Sequence, residues 1–262
     1  MTIPYFEVLA FTDRLFAGNP AGVCVLEEWL PDEILQKIAT ENNLAETAFF
    51  IERGSVFDIR WLSPSSEIDL CGHATIGSAH VLFQHLGRSG NSLAFHSHSG
   101  GDLRVDRVGD RLVLDFPARP GAECEAPALL AESLGANPKE VFKNRDYIAV
   151  FETQEQVASL QPNLGEVAKL EGVQGVCVTA PGNDCDFVSR YFAPSVGVPE
   201  DPVTGSTHCG LIPYWATRLG KTKLHARQLS PRGGELFCEE RGERVGIGGT
   251  AVTYVQGTMT LR

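Results

Sequence analysis

The chain has no CxxC pair. Its seven cysteines are scattered at 24, 71, 124, 177, 185, 209 and 238. An odd, dispersed set excludes a dense disulfide scaffold and a zinc ribbon, and reads as reduced cytosolic thiols. Basic residues are also scarce: 22 Lys+Arg stand against 33 Asp+Glu, a formal charge of −11, with no Lys/Arg block. A basic face for nucleic acid is therefore not expected. No apolar run reaches the roughly 18–20 residues of a membrane span. The opening MTIPYFEVLAFTDR has no basic stretch followed by an apolar one, so no secretory leader is expected and the location is read as cytoplasmic. GxGxxG after a strand, GxxxxGK[ST] and GxSxG are all missing, which leaves nucleotide, flavin and serine-elbow chemistry unsupported. The seven histidines are dispersed, and His96 and His98, in an expected edge strand, lack partners at zinc spacing. No metal and no organic cofactor are expected.

What is present is an internal repeat. DLCGHATIGSAHVLFQHLGR (69–88) lies over PVTGSTHCGLIPYWATRLGK (202–221) at a shift of 133, and the match continues from 99–114 to 232–247. Identical pairs include Gly72/Gly205, Gly77/Gly210, Leu86/Leu219, Gly87/Gly220, Gly100/Gly233 and Gly109/Gly242. Glycine dominates the matches, as it would where the backbone needs positive φ or close approach. Upstream, FDIRWLSPS (57–65) lies over FVSRYFAPS (187–195). The expectation is two copies of one fold, residues 1–117 and 118–262, with any ligand site where the copies face each other.

Each half reads as a mixed α+β unit, a bent sheet enclosing its second helix. IPYFEVLAF and GVCVL are expected strands. LPDEILQKIATEN is an amphipathic helix with Pro31 at its first position and Ile34, Leu35 and Ile38 on one face. TAFFIE (47–52) and VFDIRWL (56–62) are strands joined at Gly54-Ser55, and 74–86 is a helix stopped by Gly87. A hairpin turns at Gly109-Asp110, and PARPGAECEAPA (117–128) reads as a linker. In the second half, strands are expected at 147–152, 175–180 and 186–192, helices around 163–170 and 206–219, and a hairpin turn at Gly242-Glu243.

Three segments carry candidate chemistry: NLAETAFF (43–50), CGHATIG (71–77) and TGSTHCG (204–210). Gly72 and Gly205 clear side-chain bulk at two helix starts, whose free N–H groups and positive dipole ends would hold an anion without Lys or Arg. Ordinary capping by Ser206 is the plainer alternative. The copies diverge at a few positions. His73 aligns with Ser206, Cys71 with Thr204, Asp201 with Ile68, and Glu46 loosely with Gln174. Glu46, His73 and Asp201 are thus unmatched groups able to move protons, on a shared scaffold for binding. Arg60/Arg190 and Trp61/Tyr191 are matched and read as structural.

At these residues the chain resembles the phenazine-biosynthesis isomerase-like (PhzF-like) family, of the diaminopimelate epimerase and proline racemase fold group. The resemblance rests on FAGNPAGVCVL (16–26), NLAETAFF, CGHATIG and EDPVTGSTHCGL (200–211), across the whole chain. It implies two barrel-like sheets, each around a central helix, with no metal or cofactor, and a homodimer. It places Glu46 as the proton-moving group, with His73, Asp201 and Ser206 in support and Gly72 and Gly205 on a substrate carboxylate. The expected activity is cofactor-independent isomerisation of a small anionic, amino-acid-derived substrate. Two alternatives stay open. One is a racemase or epimerase using Cys71 with Glu46, since Thr204 stands where a second thiol would be and Cys209 lies further along the helix. The other is a non-catalytic binding module.

Overall fold

A computed structural model describes residues 1–261, which divide into two compact units. The first comprises Met1–Asp115 and the stretch from Gly248 onward; the second is Phe116–Ile247. The division at 115/116 lies near the expected 117/118, but the far end differs. The repeat stops at Ile247, and the C-terminal strand Ala251–Thr260 runs antiparallel to β1 (Thr2–Ala10), from Thr2↔Thr260 to Ala10↔Ala251 with a bulge after Glu7. Backbone pairing along that whole strand assigns the last residues to the first unit.

In the first unit β1 also pairs antiparallel with β2 (Asn19–Leu26). Then follow α1 (Asp32–Asn42), β3 (Glu46–Arg53), β4 (Val56–Leu62), β5 (Glu67–Ile68), α2 (Gly72–Gln84), β6 (Ser92–Ser97), β7 (Gly101–Val108) and β8 (Arg111–Pro117). β2 and β3 are parallel and joined through α1; β4 and β6 are parallel and joined through α2. β3–β4 and β6–β7 are antiparallel hairpins. This follows from geometry: a parallel pair needs a long crossover, while a hairpin needs only a tight turn. Gly54 takes positive φ in the β3–β4 turn and Gly109 in the turn of the antiparallel β7–β8 hairpin, as expected. Gly18, in the FAGNP segment, also has φ of 66°, and a Cβ there would collide with the Ala10 carbonyl and Thr12.

α1 packs Leu35, Ile38 and Ala39 into a core with Ile3, Leu26, Phe49, Ile51 and Leu62. Two expected ends are corrected. Pro31 is the N-cap of α1, accepting from Ile34 and Leu35, and Asp32 is the first helical residue. α2 ends at Gln84 because His85 and Leu86 both donate to the Val81 carbonyl; Gly87, at positive φ, turns the chain after that. α2 is buried on almost every side and packs on β1, β2, β3, β7 and the C-terminal strand. That fits its composition, which up to Phe83 offers only small and apolar residues around His73 and His80.

The second unit contains β9 (Ala122–Glu123), α3 (Ala128–Leu134), β10 (Glu140–Lys143), β11 (Tyr147–Val150), α4 (Gln154–Ser159) and α5 (Leu164–Val167). It continues with β12 (Val176–Pro181), β13 (Phe187–Phe192), α6 (Gly205–Leu219), β14 (Lys223–Gln228), β15 (Gly234–Glu240) and β16 (Arg244–Gly249). The pairing succession repeats: β11‖β12, β12 antiparallel to β13, β13‖β14 and β14 antiparallel to β15. The expected linker is more ordered than its Pro and Ala content suggests. Ala122 and Glu123 pair with β10, and α3 starts at Ala128. The helix expected over 163–170 is the single turn of α5, capped by the Asn163 side chain, with α4 before it. Among the described residues no helix is long and apolar enough to cross a membrane.

Candidate active site

Cys71 is the N-cap of α2, in extended conformation, followed by Gly72 and His73 as the first helical residues. The Thr75 hydroxyl and amide both donate to the Cys71 carbonyl, at 2.6 and 3.3 Å, and lock this start. Glu46 is the first residue of β3, opposite Ala21 of β2, and α2 packs on both strands. The strand start therefore meets the helix start. Glu46 Oε2 lies 3.1 Å from His73 Nε2, and Cys71 Sγ lies 3.6 Å from His73 Nδ1. The Glu46–His73 approach is close but not aligned for a linear hydrogen bond, so both atoms retain unused bonding capacity.

His73 and Cys71 are buried and Glu46 is half-buried. Burial, the strongest influence on His73, pushes the imidazole down. Cys71 and Glu46 on its two sides outweigh that and hold it well above the ordinary 6.5. Burial pushes the Cys71 thiol up, against the pull of His73. One donor atom from each of Glu46, Cys71 and His73 falls within 4.8 Å of the others, a set that could take a metal ion. However, the imidazole shows a different nitrogen to each neighbour. That arrangement joins ring to carboxylate on one side and ring to thiol on the other, rather than turning three ligands on one point.

In the second unit Thr204 is the N-cap of α6, with Gly205 and Ser206 after it. The Thr204 hydroxyl donates to Asp201 Oδ2 at 2.5 Å and accepts from Gln228 Nε2 at 3.1 Å. Gln228 also accepts from the Thr204 amide and donates to the Asp201 carbonyl. Ser206 does not cap its helix; its hydroxyl accepts from Arg145 Nη2 at 2.8 Å. The two helix starts share a device. Thr75 and His208, aligned by the shift of 133, each bond the carbonyl four residues back, on Cys71 and Thr204. Cys209 is buried, and burial pushes its thiol up to about 11.

The structure thus groups Glu46, Cys71, Gly72 and His73 in the first unit, and Asp201, Thr204, Gly205 and Ser206 in the second. The sequence reading missed Gln228 and Arg145. Gln228 carried a signal, because it continues the buried register of Leu224 and Ala226 in β14 with a polar side chain. Arg145 carried none. The matched arginines bind carboxylates and, in one case, a helix end: Arg190 clasps Glu200 and the carbonyls of Val157 and Leu160 at the end of α4, and Arg60 joins Asp32 to Glu67. His96 and His98 are exposed.

The family model for phenazine biosynthesis-like proteins matches residues 8–257. The chain belongs to that family. A Pseudomonas aeruginosa protein called an uncharacterized isomerase is 50% identical over 262 residues, with 100% of both chains covered. The crystal structure of a PhzF-family protein from Enterococcus faecalis superposes with a TM-score of 0.97 at 44% identity, covering 100% of both chains. A hydroxyproline epimerase from Agrobacterium vitis shares the fold at a TM-score of 0.65 and 10% identity, covering 98% of this chain and 92% of that one. The sheet-dominated mixed fold therefore belongs to the group that includes proline racemase-like proteins.

Proposed function

We propose that the protein is an isomerase that moves a proton between carbons of a small carboxylate, without a cofactor, with Glu46 as the base. The observation that carries this is the buried array in which His73 stands between Cys71 and Glu46. Support comes from relatives named isomerases at 40 to 50% identity. Glu46 takes a proton from a carbon next to a carbonyl or imine group. Where that carbon also adjoins a C=C bond, the C–H electron pair forms a new C=C, the old double bond's pair takes the proton at its far carbon, and the double bond has moved by one position. A protonated His73 beside Glu46 steadies the carboxylate and the charge that develops. The recurring pairing succession supports an origin of the two units by duplication.

The test is hydrogen exchange. In D2O, a panel of amino-acid-derived carboxylates is screened by mass spectrometry for deuterium uptake. Uptake should fall about 100-fold or more in Glu46→Gln. Equal uptake in the variant would remove Glu46 from the chemistry. The Cys71–His73 contact favours a second reading, one-carbon racemisation with Cys71 and Glu46 as the two bases. Cys71→Ala separates the two: the isomerase keeps its uptake and its product, and the racemase loses interconversion of the two enantiomers.

A further inference from the structure

Arg145 lies in the turn between β10 and β11, and Asn144 and Asp146 brace that turn. The Asn144 amide donates to the Asp146 carbonyl at 3.0 Å, and the Asp146 amide donates to Asn144 Oδ1 at 2.9 Å. Asn144 Nδ2 reaches the Arg119 carbonyl at 2.8 Å, and the Gln174 amide bonds the Arg145 carbonyl at 3.0 Å. The Tyr191 hydroxyl donates to buried Asp146 Oδ1 at 2.9 Å, and Asp146 Oδ2 lies 3.7 Å from Arg145 Nη2. Gly210 permits this seating on α6, because a Cβ there would stand 2.7 Å from Asn144 Nδ2 and 3.0 Å from the Arg119 carbonyl. A rigid turn thus aims Arg145 at Ser206. In the first turn of α6 Ser206 keeps exposed surface, while Gly205 and Thr207 on either side are buried.

A serine hydroxyl has one hydrogen to donate and two lone pairs. Guanidinium can only donate, and it stays charged. Arg145 therefore occupies Ser206 as an acceptor and leaves its hydrogen for another oxygen. A hydroxyl set as donor beside a fixed cation prefers a charged oxygen to a neutral one.

We propose that Arg145 is a positioning residue: it orients Ser206 as a hydrogen-bond donor and makes the second unit select a carboxylate oxygen over an uncharged one. The proposal rests on the reading of Ser206 as a substrate-binding residue.

The test needs no turnover. Benzoate and its uncharged twin benzamide are titrated into the full chain and followed by NMR. The wild type should bind benzoate at least about tenfold tighter. Arg145→Met should bring that ratio to about one, and Arg145→Lys should restore part of it. Ser206→Ala should lose the preference to the same extent, and the Arg145→Met/Ser206→Ala pair should be no worse than either alone. A merely structural arginine would show no such coupling and no rescue by lysine. A wild type that binds neither probe, or binds them equally, overturns the proposal; so does an undiminished ratio in folded Arg145→Met or Ser206→Ala. The two readings fail separately, since Glu46→Gln is read by hydrogen exchange and these variants by a binding ratio.

Discussion

His73 is held between a thiol and a carboxylate, and its protonation is the variable to measure first. Burial alone would make it neutral, while its neighbours keep it above 6.5. With Gln at position 46 one raising neighbour is gone, so the His73 midpoint, read from its imidazole NMR signals, should move down; an unmoved midpoint would contradict the electrostatic account. A histidine raised in the folded state adds stability that is complete below about pH 6.5 and is lost as pH rises through its folded value. Glu46→Gln should therefore lose that increment at a lower pH than the wild type. The grouping of Glu46, Cys71 and His73 was legible in part, because short motifs at a helix start and a strand start name their own residues. Arg145 was not legible. A turn residue's partner depends on which helix the turn lies against, and no local pattern encodes that.

The paired helices α2 and α6 place different side chains on a common backbone device. Thr75 bonds the cap carbonyl with a hydroxyl and His208 does so with a ring. The choice matters in acid. Burial lowers His208 to about 4, so it binds its proton less readily in the folded chain than in the unfolded one. Stability should fall as pH drops from 6.5 towards 4, by on the order of 3 kcal/mol for this group. His208→Thr keeps the bond to the Thr204 carbonyl. In urea unfolding at pH 7.5 and 4.5 it should lose less stability to acid than the wild type, even if the smaller side chain lowers both values. An unchanged acid loss would count against His208. At this scale the long elements were readable from period and turn residues, and the short ones were not. α4 had a readable signature in Thr153 and Gln156, whose side chains form a capping box, but a helix of six residues carries too little apolar period to stand out.

Over the whole chain the repeat led to an expected division at 117/118, and the compact units divide at 115/116. It mistook the last residues because they lie outside the repeated segment. Residues 251–260 have no counterpart in the first copy, and their assignment depends on β1, at the opposite end of the sequence. Ending the chain after Thr250 removes every backbone pair along β1 on that side, and with them the Thr253 hydroxyl that meets His80 and His85. The thermal midpoint should drop by more than about 5 °C. A change of about 1 °C or less would mean that the strand is an accessory.

The pairing of β1 with residues 251–260 also sets an order for synthesis on the ribosome. Every residue of the second unit leaves the exit tunnel before the first unit has its closing strand, so the half made earliest is completed last. Until then β1 travels with one side open, and a chain released after Ile247 would hold a complete second unit and an incomplete first one.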